Sequence, residues 1–225
     1  MRKTRPTIFT LLLAALLLAA CGERGASLAD FSLRLYEPTY ASGFEILGAE
    51  GRESSIVVTK APWQGADSAA ATQLFVQRGN EAVPSGFQGQ VLRGEAQRIV
   101  CMSSTYIAML DALGAVDRVV GVSGIQFITN PAITQSPNGK SSNGKSSNGQ
   151  CLDVGYDGNV DYERLLSLAP DLVLLYGVNG TSGMDSKLRE LGIPYIYVGE
   201  YLEESPLGKA EWLVAVAEAA GLRET

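Results

Sequence analysis

Three carboxylates, Asp153, Asp157 and Asp161, recur at four-residue steps in one short stretch of the chain, a spacing that invites a reading as oxygen ligands for a hard cation. They lack the dense alternation and the central glycine of an EF-hand loop, so the spacing does not define a calcium site. The sequence contains no histidine, which removes the commonest nitrogen ligand of zinc, the usual proximal ligand of haem and the base of most Ser and Cys nucleophile systems. With neither a nucleophile–base pair nor a metal constellation, the chain is expected not to be an enzyme, and no resident cofactor is implied. A bare transition-metal ion is a poor ligand for the same reason. Cys101 and Cys151 each begin or occupy an apolar run and are compatible with either a disulfide formed outside the cytoplasm or two buried thiols.

The amino terminus has a basic segment (Arg2, Lys3, Arg5) followed by an apolar run from Ile8 to Ala20. That run suits the core of a signal peptide and is too short to span a bilayer as a helix. Leu18-Ala19-Ala20-Cys21 resembles the bacterial lipobox, which implies lipidation at Cys21 and a cell-envelope location, anchored to a membrane and facing the periplasm or the exterior. Removing the first 20 residues takes the formal charge from −6 to −9. An acidic exported chain lacks the clustered Lys and Arg that phosphate contacts need, so nucleic-acid partners are excluded.

The elements that must position any site follow in two styles. From Tyr40 to Arg78 short alternating runs (Gly43 to Leu47, Ser55 to Thr59, Gln73 to Gln77) predict small antiparallel strands, with Trp63 covering that layer. From Arg98 onward strands and helices alternate. Arg98 to Met102 reads as a buried parallel strand and Ser103-Ser104-Thr105 as the cap of a helix carrying Tyr106, Met109, Leu110 and Leu113, closed by Gly114. A strand over Arg118 to Val122 follows, and then Asn-Gly-Lys-Ser-Ser twice in tandem within residues 137–150, a polar tract suited to a surface loop. Cys151 to Val154, a helix from Asp161, the apolar run Leu172 to Tyr176, a helix over Met184 to Leu191, a strand over Tyr195 to Val198 and a helix from about Leu207 to Ala220 complete the pattern. Repeated strand–helix units predict an α/β fold with a parallel sheet and helices on both faces, preceded by a small antiparallel β subdomain.

Several phrases, in order, resemble the iron-siderophore, cobalamin and haem substrate-binding proteins of ABC importers, whose two α/β lobes are joined by one rigid helix. They are Arg98-Ile-Val-Cys-Met-Ser-Ser, Arg118-Val-Val-Gly-Val-Ser, Lys187-Leu-Arg-Glu-Leu-Gly-Ile-Pro and Pro206-Leu-Gly-Lys-Ala-Glu-Trp, with the run from Asp161 through Ala169-Pro170-Asp171 to Leu175 the most specific. The resemblance implies a single lobe of such a protein. Its expected organisation is a lipoprotein signal peptide over 1–20, a lipidated tether over 21–39, a β-rich extension over 40–97 and an amino-terminal α/β binding lobe over 98–204. The start of the inter-lobe helix would occupy 205–225, with the carboxyl-terminal lobe missing.

In that family the ligand sits between the lobes at the carboxyl ends of the strands, where open α/β sheets leave a crevice. The resemblance therefore implies ligand contacts from Ser103, Ser104, Phe127, Tyr156, Asp157, Tyr176, Asn179 and Tyr201. Each tyrosine also has an ordinary explanation as an amphipathic residue capping a strand end, and Tyr106 has helix spacing that suits the core. Glu163 matches a lobe-surface glutamate that docks on the permease, although a carboxylate in a first helical turn is also favoured by the helix dipole. The expected function is a lipid-anchored solute-binding protein that captures an iron chelate, haem or cobalamin and delivers it to an ABC-type permease, its partners being the metal chelate, the permease and the membrane. The competing reading is a truncated or degenerate surface lipoprotein acting as a non-transport interaction module.

Overall fold

Short apolar runs between turn residues become strands in two sheets. The computed structural model describes residues 25–134, 151–156, 158–178, 180 and 183–223; the expected signal peptide, Cys21 and the tandem repeat lie outside them. Strands β1 (Leu33–Tyr36), β2 (Phe44–Gly48), β3 (Ser55–Thr59), β4 (Thr72–Gln77) and β5 (Gln90–Arg93) make the first sheet in that spatial order. Its first four strands are antiparallel neighbours, whereas β5 returns parallel to β4. Strands β6 (Ile99–Cys101), β7 (Val119–Val122), β8 (Leu152–Asp153), β9 (Leu172–Leu175) and β10 (Tyr195–Tyr197) make the second sheet, ordered β10-β9-β6-β7-β8 and parallel throughout. The helices are α1 (Ser104–Ala112), α2 (Pro131–Thr134), α3 (Tyr162–Ser167), α4 (Met184–Leu191) and α5 (Pro206–Ala219).

Local chemistry sets the helix ends. Ser103 Oγ accepts from the Thr105 N–H, Asp161 from the Arg164 N–H and Ser205 Oγ from the Gly208 N–H, so three helices begin where a short polar side chain can take up an orphan donor. Gly192, in the left-handed region, ends α4.

The parallel sheet is covered on both faces by alternate residues of the same strands. Ile99, Cys101, Leu172, Leu174, Ile196 and Val198 point to the side of α1 and α5. Val100, Val173, Leu175, Tyr195 and Tyr197 point to the other side, against Leu165 of α3, Leu168 just past its end, and Met184 and Leu188 of α4. The first sheet joins the former side: Phe44, Ile46, Val57, Leu74 and Val76 share a single core with Tyr106, Leu110 and Trp212. Its outer face packs Ile56 and Phe75 under Phe31 and Phe87.

Helix α5 therefore lies between two sheets. Trp212, Ala215, Val216 and Ala219 are buried and Leu213, Val214 and Ala217 are partly so, the pattern of a helix packed on more than one side. Trp63 differs from expectation. Its ring meets Tyr197 edge-on, with centroids 5.9 Å apart, so it covers the parallel sheet rather than the antiparallel one.

Three carboxylates fasten α5 and the turn before it to the first sheet. Glu211 accepts from the Tyr36 hydroxyl at 2.8 Å and from the N–H groups of Thr39, Tyr40 and Ala41 at 2.7, 2.7 and 2.6 Å. Glu203 accepts from the Ser42 and Gly43 N–H groups at 3.0 and 2.9 Å and from the Trp212 indole at 3.0 Å. Position 43 has to be glycine for this approach, because a Cβ there would lie 2.8 Å from the Trp212 ring. Glu218 takes the Ser55 hydroxyl and pairs with Arg223 at 2.8 Å and Arg78 at 3.4 Å.

Cys101 and Cys151 carry free thiols. Cys101 is fully buried, which pushes its thiol far up. Burial first, and then the nearby Asp153 carboxylate, push Cys151 up to about 12.

Two outcomes are expected. Desolvation acts to raise the Glu211 carboxyl, but the three amides and Tyr36 outweigh it and hold the group down at about 2, against an ordinary value of 4.5. A lowered carboxylate stabilises the fold fully above its unfolded value and loses that contribution as pH falls through the folded one. Glu211→Gln should cost about 1–3 kcal/mol at pH 7, and urea titrations should show its gap from the parent narrowing below pH 4.5 and closing towards pH 2; a gap that does not change with pH would contradict the clamp. Secondly, a pKa near 12 lowers the Cys151 thiolate fraction at pH 8 on the order of a thousandfold relative to an ordinary thiol. In a colorimetric thiol assay without reductant, Cys101 and Cys151 should react only after denaturation in guanidinium, and their failure to react even then would reveal a disulfide.

Candidate functional site

The order of the parallel sheet creates the crevice. From β6 the chain moves outward through β7 to β8, then crosses back over β6 to place β9 and β10 on its other side. The loops leaving β6 and β9 therefore diverge, and a doubly wound sheet is left open at that switch point, at the carboxyl ends of its strands.

A cavity of about 360 Å³ occupies this position, within the size range of small-molecule pockets and near its lower limit. Met102 at the end of β6 and Leu175 and Tyr176 at the end of β9 form its floor; Asn159 and Val160 of the β8–α3 connection and Tyr162 at the start of α3 form one wall and Gly183 and Met184 at the start of α4 the other. Thioethers, phenol rings and aliphatic groups dominate this lining. Such a surface packs on the face or edge of an apolar ring system, with Asn159 and the tyrosine hydroxyls able to orient its rim.

Backbone stitching fixes the loops around the cavity. Asp153 accepts from the N–H groups of Gly124, Ile125 and Gly155 at 3.1, 3.0 and 2.9 Å, joining the loops that leave β7 and β8. Burial pushes its carboxyl up, but the three donors and the Arg164 guanidinium outweigh this and hold it below the usual range. Gly155 (φ +83°) makes the turn that follows, where a Cβ would lie 2.2 Å from the Asn159 carbonyl oxygen. Arg164 donates to the Asp153 carbonyl at 2.6 Å and pairs with Asp161 at 3.4 Å. Asp153 and Asp161 are thus occupied as backbone anchor and helix cap, and no group of three potential metal ligands occurs among the described residues. On the opposite side the Tyr106 hydroxyl sits between the carbonyls of Leu175 (3.1 Å) and Val198 (3.0 Å), tying together the ends of β9 and β10.

The residues singled out in the sequence are distributed unevenly about this cavity. Tyr176 lines it. Tyr156 belongs to the connection that forms one wall and is 56% exposed; Phe127, in the loop after β7, is 72% exposed, and Val178 beyond β9 is 49% exposed. Apolar groups therefore stand out in solvent along the same edge of the sheet. Ser103 caps α1 and Ser104 is its first residue, and neither lines the cavity. The Tyr201 hydroxyl donates to the Gly177 carbonyl and braces the loop after β9. Asp157 and Asn179 lie outside the described residues. Glu163 is exposed in the first turn of α3, with no hydrogen bond or ion pair to another described residue. Sequence reasoning missed Met184, Tyr162 and Asn159. Met184 and Tyr162 read as core positions of helices α4 and α3, and only the crossing of β9 behind β6 brings their amino-terminal ends together.

The helices among the described residues include none long and apolar enough to cross a membrane. Two uncharacterized lipoproteins of Methanocaldococcus jannaschii are similar to the chain. One is 28% identical over 152 residues, covering 64% of this chain, and the other 27% identical over 150 residues, covering 66%. The chain spans only 36% of the length of each of these relatives. Among solved structures, the periplasmic heme binding protein HutB of Vibrio cholerae aligns with a TM-score of 0.38 and 24% identity, over 57% of this chain and 45% of that one. The periplasmic vitamin B12 binding protein BtuF of the same organism aligns with a TM-score of 0.37 and 18% identity, over 57% and 47%. The family described as periplasmic binding protein matches residues 99–222, which is more than half of the chain and runs from β6 past the end of α5, and so the chain belongs to the periplasmic binding protein family.

Proposed function

We propose that the chain is a solute-binding lobe that captures a metal chelate in the switch-point cavity and presents it to an ABC-type permease. One observation carries this reading: in a chain of the periplasmic binding protein family, the cavity at the β6/β9 switch point is lined by Met102, Tyr176, Tyr162 and Met184. A cavity of about 360 Å³ encloses only part of a ligand of tetrapyrrole or siderophore size. The exposed Tyr156 and Phe127 would extend the contact surface beyond it. A ferric siderophore or cobalamin brings its own inner ligands and asks of the protein shape and apolar contact, whereas haem would take an axial group from the chain, for which the lining offers Met102, Tyr162, Tyr176 and Met184.

Lipidation at Cys21 would hold this lobe at the membrane surface, in keeping with the lipoprotein names of the two relatives. Glu163, exposed and without a described partner on α3, is the docking carboxylate in this reading. Its contribution would be to recognition of the permease and not to capture of the ligand.

The test is a titration of protein fluorescence with cyanocobalamin, haemin and a set of ferric siderophores, corrected for ligand absorbance. One ligand should quench saturably, and Tyr176→Ala should weaken its binding about tenfold or more, the loss of an aromatic contact worth roughly 1–3 kcal/mol. Glu163→Gln should leave the same binding curve unchanged. Absence of saturable quenching by every ligand, from protein with a native circular dichroism spectrum, would overturn the proposal in favour of a non-transport surface module.

A further inference from the structure

Tyr176, the aromatic ring on the cavity floor, stands on a glycine-rich stretch of chain, Tyr176-Gly177-Val178-Asn179-Gly180. Glycine has more conformational freedom to lose than any other residue, and a ligand that had to order this stretch would bind more weakly by that cost. The order is supplied from outside the parallel sheet, by the connection between β3 and β4. Within it Trp63-Gln64-Gly65-Ala66 form a tight turn, closed by the Ala66 N–H on the Trp63 carbonyl at 3.1 Å, with Gly65 at φ +77°, a conformation that calls for glycine at the third place of a turn. The Trp63 ring meets Tyr197 of β10 edge-on.

This turn lies directly against the loops that leave β9 and β10. A Cβ on Gly177 would stand 2.9 Å from the Pro62 carbonyl oxygen and 3.2 Å from the Trp63 Cβ, and one on Gly199 would stand 3.3 Å from the Ala61 carbonyl oxygen. The Gln64 backbone N–H donates to the Tyr201 hydroxyl, which donates in turn to the Gly177 carbonyl. At the base of the same connection the Thr59 hydroxyl donates to the Tyr197 carbonyl at 2.6 Å. On the other side of Tyr176, the Leu175 carbonyl accepts from the Tyr106 hydroxyl at 3.1 Å and the Val198 N–H at 2.9 Å. The backbone of Tyr176 is therefore anchored before and after it.

Given the proposed capture function, on which this rests, we infer that the Trp63 turn and Tyr201 are positioning elements of the ligand site. Neither lines the cavity. They act on capture by holding Tyr176 where the ligand will meet it, so that binding does not have to order the loop after β9. The antiparallel extension is thereby a working part of the site, and Tyr201 serves it through Gly177 instead of through contact with the ligand.

The experiment measures, by calorimetry, binding of cyanocobalamin, haemin and a set of ferric siderophores to the full chain in detergent. For the ligand that binds, Tyr201→Phe and Trp63→Ala should each weaken binding about fivefold or more, and Trp63→Phe, which keeps a ring against Tyr197, should restore most of the loss. In a Tyr176→Ala background Tyr201→Phe should cost no more than about twofold, because the group it positions is gone; a residue that only stabilises the fold would not show this dependence. Parent-like affinity of Tyr201→Phe, or losses from Tyr201→Phe and Tyr176→Ala that simply multiply, would overturn the positioning role and leave the capture function intact. Failure of every probe to bind the parent chain would overturn the capture function and, with it, the positioning role.

Discussion

Everything else in the molecule depends on the attachment of α5 to the antiparallel sheet by buried and half-buried carboxylates. Glu203, Glu211 and Glu218 take up the backbone and hydroxyl donors of the strap 36–43 and of Ser55, groups that would otherwise be left unpaired between two packed layers. Because these are charge-assisted bonds to several amides at once, they fix the position of the strap as well as strengthening it. The indole of Trp212 ties the hydrophobic and polar halves of the joint together, donating to Glu203 while its ring packs on Phe44 with centroids 5.1 Å apart.

That joint determines which parts of the parallel sheet remain available. One face of β6, β9 and β10 is sealed by α1, α5 and the first sheet, and the other by α3 and α4. What is left is the carboxyl edge, where β6, β8 and β9 lead into the segments that line the cavity. Tyr106, reaching from α1 to the carbonyls of Leu175 and Val198, and Tyr201, reaching to Gly177, hold that edge in register. The cavity lies where β6 and β9 part company, so its place follows from strand order, and its chemistry follows from a few side chains at the strand and helix ends.

The local elements of the α/β region are legible in the sequence because each signal is strong. Leu172 to Leu175 is a continuous apolar run between Pro170-Asp171 and Gly177, Asp161 is a short polar cap, and Gly114 and Gly192 stand two residues and one residue past their helices. Strands β1 and β5 are less legible, since Leu33 and Leu35 are exposed and β5 has only Val91 and Leu92 as apolar residues. The glutamate clamp is hidden for a different reason: Glu211 and the strap it holds are about 170 positions apart, and no periodicity links them. Of the cavity, Tyr176 could be read from its place at a strand end. Met102, Tyr162 and Met184 are ordinary apolar or amphipathic positions until the topology brings them around one space.

The central claim is that ligand enters the switch-point cavity, and methionine methyl groups report on it directly because the chain has only four, Met1, Met102, Met109 and Met184. Two of them line the cavity and Met109 lies in the core on the other side of the sheet. The most direct measurement is a spectrum of carbon-13-labelled methionine methyls, titrated with cyanocobalamin or with a hydroxamate chelate carrying gallium in place of paramagnetic iron. The account predicts that the Met102 and Met184 signals shift together and saturate while Met109 stays in place. Saturating chelate that leaves Met102 and Met184 unmoved would contradict it.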